Sequence, residues 1–146
     1  MGCDIHVYLM NKQEDGTYKE LALYTKNEAG DFHKAYIGEN RNYTLFSKLA
    51  GVRGCEDEMS CGNYGIFPDA PESVKNEYDD YSYHSPRWFS WDVIKYAAKV
   101  EGMTQYEDVG ENWNVVQDWL DELWVILDAY WIFDKSNVVI QIWFDS

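Results

Sequence analysis

The sequence predicts one α+β domain over residues 1–146, a single antiparallel or mixed sheet with about four helices packed mainly on one face. Three observations carry this expectation. Apolar and polar residues alternate near both ends of the chain, as half-buried strands require. The stretch 112–130 repeats its apolar residues with the helical period. No linker, internal repeat or low-complexity segment divides the chain, and 146 residues is a common size for one domain with its own core.

The first strand is expected over 3–10. There Cys3, Ile5, Val7 and Leu9 alternate with Asp4, His6, Tyr8 and Met10, giving one apolar face and one polar or aromatic face. Asp15-Gly16 is a hairpin signal, and 17–24 returns as a second strand. Residues 26–40 are mostly polar with two glycines and read as a loop. Asn42 suits the cap of a short helix over 43–50, buried through Leu45, Phe46 and Leu49 and stopped by Gly51. The Gly-, Asp- and Glu-rich stretch 54–70 reads as a long surface loop. Pro71 suits the first turn of another helix, with Glu72 favourable near its start and an end near Tyr81. Ser90 suits the cap of a helix over 91–100, ended by Gly102.

In the helix expected over 112–130, Trp113, Val116, Leu120, Leu123, Trp124 and Leu127 form one stripe. Val115, Trp119, Ile126 and Tyr130 widen it, and Asp118, Asp121, Glu122 and Asp128 fill the other side. The last strand is 138–145, with Val138, Ile140, Ile142 and Phe144 on one face. The alternative for this region is a hairpin in which 130–133 pairs with that strand across 134–137. The two terminal strands are expected to lie near each other.

Composition bounds the function. A net charge of −14 lacks the basic footprint of direct nucleic-acid binding. It leaves room for an acidic binding or inhibitor protein acting on a basic partner. Seven Trp and twelve Tyr exceed what a small core holds, so some are expected at a cleft or at a homo-oligomer interface. The odd cysteines Cys3, Cys55 and Cys61 read as reduced thiols, which points to a cytoplasmic setting. Neither a signal-peptide pattern nor an apolar run long enough to cross a membrane is evident.

Three constellations could carry chemistry. Asp4 and His6 stand two apart on one strand and share a face, which suits a divalent metal ion or a histidine oriented for acid–base work. The alternative is a structural histidine hydrogen-bonded to a neighbouring acid. His84, expected in a loop, is a candidate third metal ligand or second catalytic histidine, with Ser85 beside it. Arg41 and Arg53 flank the 43–50 helix, and with Asn42 and Tyr43 they would bind an anionic, phosphate-bearing small molecule. The alternative is that each arginine pairs with one of the many acids. No phosphate-binding or dinucleotide glycine motif occurs.

The opening Met1-Gly2-Cys3-Asp4-Ile5-His6 resembles a family of small phage and prophage proteins. So do Arg41-Asn42-Tyr43 with Leu45-Phe46, Leu49-Ala50-Gly51-Val52-Arg53, Gly65-Ile66-Phe67-Pro68-Asp69, His84-Ser85 with Trp88 or Trp91, and Ile142-Trp143-Phe144-Asp145. The pieces spread over nearly the whole length. The chain departs from the family pattern after His84-Ser85, where Pro86-Arg87 replaces a second serine. The resemblance implies a phage-related origin and a host-cytoplasm setting, where small phage proteins often act as counter-defence or host-modulating factors. It carries no activity with it. The residues themselves favour a small-molecule or metal-binding pocket suited to hydrolysis, ahead of an acidic inhibitor or an assembly module.

Overall fold

The computed structural model describes residues 4–35, 63–79, 81–93 and 122–145. The expected helix over 43–50, most of the expected helix over 91–100, the first part of the one over 112–130, and all three cysteines lie outside the described residues.

The apolar ends of the chain come together. Strand β1 (Asp4–Lys12) pairs antiparallel with β7 (Val138–Asp145), in register from Asp4 opposite Asp145 to Asn11 opposite Val138. On the outer side of β1 lies β2 (Tyr18–Leu21), joined through the turn at Gly16. Beyond β7 come β6 (Tyr83–Ser90) and β5 (Asn63–Tyr64). The order is β2-β1-β7-β6-β5, and every neighbouring pair is antiparallel. Strands β3 (Tyr24–Lys26) and β4 (Phe32–Lys34) form a separate two-stranded hairpin.

Three α-helical stretches occur among the described residues, with a single 3-10 turn at Lys135–Asn137, rather than about four helices on one face. They are α1 (Glu72–Lys75) and the helical residues 91–93 and 122–129. They also divide between the two faces of the sheet. Ile5, Val7, Leu9, Ile140, Ile142 and Phe144 meet Leu123, Ile126, Leu127 and Trp91 on one face. Met10, Val139 and Trp143 meet Phe67, Ala70 and Val74 on the other. The cause lies in β7. Its inward residues alternate as expected, but Val139 and Trp143 make the second face apolar as well. A central strand buried on both sides needs a layer on each.

The second layer is pinned by Gln141, which is fully buried in β7. Its Oε1 accepts from the Phe67 N–H at 2.8 Å, and its Nε2 donates to Gly65 O at 3.1 Å and Arg87 O at 3.0 Å. The carboxamide thus ties the 65–67 segment to β7 and β6.

Other elements depart from expectation for local reasons. Helix α1 stops well before Tyr81. The Asp79 carboxylate accepts from Tyr81 N–H and Ser82 Oγ, offering the backbone a turn instead. The hairpin alternative for 130–133 fails because those residues close a helix. Trp131 takes a left-handed φ of 60°, and the Ile132 N–H reaches back to Leu127 O at 2.9 Å. Residues 83–90, with His84 and Ser85, form a strand rather than a loop. Its register shifts between His84 and Arg87, where Ser85 has φ 55° and Pro86 lacks an N–H.

Candidate functional site

The alternation of β1 sends His6, Tyr8 and Met10 to the face opposite Ile5, Val7 and Leu9. In the β1–β7 register His6 lies opposite Trp143, and Asp145 follows two residues along on the same face. His6 Nε2 stands 2.8 Å from Asp145 Oδ2, with both side chains partly buried. Tyr83, opposite Asp145 on β6, sets its ring 5.0 Å from the imidazole. Tyr8 and Tyr78 pack against Trp143 at 4.5 and 5.1 Å. The histidine is therefore oriented by a carboxylate and walled by aromatic rings.

Beside it opens a cleft of about 160 Å³, lined by His6, Tyr8, Glu20, Lys34, Ala35 and Glu77 among others. Four elements supply these groups. Glu20 comes from β2, opposite Met10, and Lys34 from the end of β4. Glu77 follows α1, and His6 and Tyr8 stand on β1. The Lys34 ammonium lies 2.7 Å from Glu20 Oε2 and 3.1 Å from Glu77 Oε1. It also sits 5.6 Å from the centre of the Tyr8 ring. Ser73 Oγ donates to Glu20 Oε1 at 2.7 Å.

This environment perturbs two of the groups. Burial raises the Tyr8 phenol well above its ordinary pKa, and the negative charge of the neighbouring Glu77 carboxylate adds to the rise. Burial pulls Lys34 the other way, but its hydrogen bonds to Glu20 and Glu77 outweigh that, and its pKa is raised. Both protons are held firmly on the side chains in the folded state.

The other sequence candidates fall in different places. His84 pairs with Phe144 and stacks on it at 5.9 Å, so its imidazole shares the face of Ile5 and Phe144, opposite that of His6. The two histidines do not converge across the sheet. His84 Nδ1 lies 3.0 Å from Ser85 Oγ, on the His84 side. Asp4 is placed in β1 opposite Asp145. Arg41, Asn42, Tyr43 and Arg53 lie outside the described residues. Among the described residues, no group of three His, Cys, Asp or Glu is disposed to hold a metal ion.

Sequence reasoning singled out His6 but not Asp145, Tyr8, Glu20, Lys34 or Glu77. Tyr8 carried a signal, since it alternates onto the face of His6. Asp145 carried a weaker one, because it becomes a neighbour only once the terminal strands pair. Nothing local marks Glu20, Lys34 or Glu77, which meet through long-range packing.

Chemically, a carboxylate-oriented imidazole can move a proton at the cleft wall. Two carboxylates over a phenol ring hold a cation beside it. No helix among the described residues is long and apolar enough to cross a membrane. Compared with protein-family models, curated proteins and solved structures, the chain matches none of them.

Proposed function

We propose that the chain binds a small polar molecule in the cleft between β1, β2, β4 and the segment after α1, with His6 as its acid–base group and hydrolysis as the reaction it suits. The observation that carries this reading is the imidazole at the cleft wall with Asp145 Oδ2 2.8 Å from its Nε2. An oriented imidazole beside a small cleft with several polar groups is the arrangement that binding with proton transfer requires. The sequence likeness to phage and prophage proteins adds a host-cytoplasm setting to this reading. An anionic, phosphate-bearing ligand would rest on Arg41 and Arg53, whereas the groups around the cleft itself are dominated by Glu20, Glu77 and Asp145.

The test is a fragment screen by NMR with a parallel panel of ester, amide and phosphoester substrates. Binding should shift resonances of His6, Tyr8 and Ala35, and His6→Gln should lower any turnover by about 10²-fold or more. Perturbations that avoid the cleft, or wild-type turnover in His6→Gln, would remove the reading.

A further inference from the structure

The cleft wall is built around an ammonium. Glu20 is the buried member, its side chain only 8% exposed, and its carboxylate faces Lys34 Nζ. A carboxylate so far from water must be compensated by a cation or by protonation. Lys34 supplies that cation, with Glu77 as a second acceptor and Tyr8 as an aromatic face. Ser73 Oγ fills a further acceptor position on Glu20.

The cation arrives on a loosely held element. The β3–β4 hairpin is separate from the main sheet, and its strand residues are exposed apart from the half-buried Lys34. Thr25 pairs with His33, and Lys26 lies over Phe32, both within the hairpin. Among the described residues, the side-chain hydrogen bonds and ion pairs from 24–34 to the rest of the domain all start at Lys34. One ammonium therefore anchors the hairpin and fills the polar end of the cleft.

We infer that the cleft recognises a small ligand bearing a primary ammonium, which takes the place of the Lys34 ammonium between Glu20 and Glu77 and frees the β3–β4 hairpin; this names the ligand class and rests on the binding reading above. The exchange conserves charge. Glu20 keeps a cationic partner throughout, and Lys34, on an exposed hairpin, regains its hydration in water. Because one ammonium replaces another, the ligand's remaining contacts with the cleft decide the affinity. A neutral or anionic ligand that displaced Lys34 would leave the buried Glu20 carboxylate uncompensated, so the site discriminates by charge.

The experiment removes the internal cation and supplies one from solution. Lys34→Ala should melt at a lower temperature than wild type. Methylammonium chloride should raise that melting point more than sodium chloride at equal ionic strength. It should also bind the variant about tenfold tighter than wild type, as expected when an internal competitor is deleted. Hydrogen exchange over 24–34 should be faster in Lys34→Ala and stay fast when methylammonium is bound. If Lys34→Ala does not fold, Lys34→Met keeps the aliphatic stem and takes its place. Glu20→Gln in the wild-type chain should abolish the methylammonium response. Equal responses to methylammonium and sodium in the lysine variant overturn the inference. The NMR screen separates the two ways of failing. If neutral or anionic fragments enter the cleft and ammonium compounds do not, only the ligand class is wrong. If nothing enters, the binding reading falls as well.

Discussion

At the scale of single residues, the fold depends on one polar side chain that sequence pattern hides. Gln141 interrupts the apolar run of β7 at a position where the sheet face is otherwise Val139 and Trp143. Read along the strand it resembles an outward-facing residue, yet it is fully buried. Its carboxamide satisfies Phe67 N–H and Gly65 O in the segment that crosses over β7, and Arg87 O in the neighbouring strand β6. Gln141→Leu keeps much of the volume and leaves those backbone groups without their partner. Each orphaned buried group costs about 1–3 kcal/mol, so urea unfolding should show a loss of about 2–4 kcal/mol. A loss below about 0.5 kcal/mol, the range of an ordinary surface substitution, would mean that the 65–67 segment re-forms its bonds elsewhere. His6 was legible in the same sequence because alternation alone places it on a face. The partners of Gln141 were not, because a glutamine records nothing of which chain segments will lie over it.

At the scale of elements, legibility followed burial. Strand β1 alternates between apolar Ile5, Val7 and Leu9 and the opposite face of His6 and Tyr8, and the expected last strand, 138–145, coincides with the doubly buried β7. The β3–β4 hairpin carries no strand periodicity in the sequence, although its turn repeats the chemistry of the first. Gln13 N–H donates to Thr17 O, Gly16 N–H donates to Gln13 O, and Gly16 has φ 89°. In the second turn Asn27 N–H donates to Asp31 O, Gly30 N–H donates to Asn27 O, and Gly30 has φ 88°. What differs is the flanking strands. Exposed strands need no apolar alternation, so periodicity gives no signal there. Strand β6 was hidden by Pro86 and by the left-handed Ser85, which break the pattern at its bulge. The paired turns support a clean test of backbone conformation. A Cβ at Gly16 would meet nothing within 4 Å, so Gly16→Ala changes only the conformational cost of positive φ. That substitution should destabilise by about 1 kcal/mol, measured by denaturant midpoint, and Gly16→Asn should cost less.

At the scale of the whole molecule, the two-sided core and the cleft are linked through β1. Its inward residues fill one hydrophobic cluster, while Tyr8 and Met10 help to close the other and Tyr8 also lines the cleft. Tyr8 is faced by Glu20 from β2, Lys34 from β4, Glu77 after α1 and Tyr83 from β6. Burial comes first among the causes that hold its phenol protonated, and the Glu77 carboxylate comes next. A pKa raised on folding means that the native state binds the proton more tightly than the unfolded chain. Stability from this group is therefore complete below the unfolded value of about 10 and is lost as pH climbs above it. Lys34, raised by its two carboxylates, acts in the same direction and over the same alkaline range. The expected profile is a thermal midpoint whose Tyr8 and Lys34 contributions begin to fall only above about pH 10, as the unfolded chain starts to release protons the native state retains. Tyr8→Phe should lie below wild type at neutral pH, since the Glu77 carboxylate loses the phenol hydroxyl beside it. It should also fall less steeply above pH 10, so the two curves converge there. Parallel curves would show that the phenol titrates in the folded protein as it does in the unfolded chain, and would overturn its burial beside Glu77.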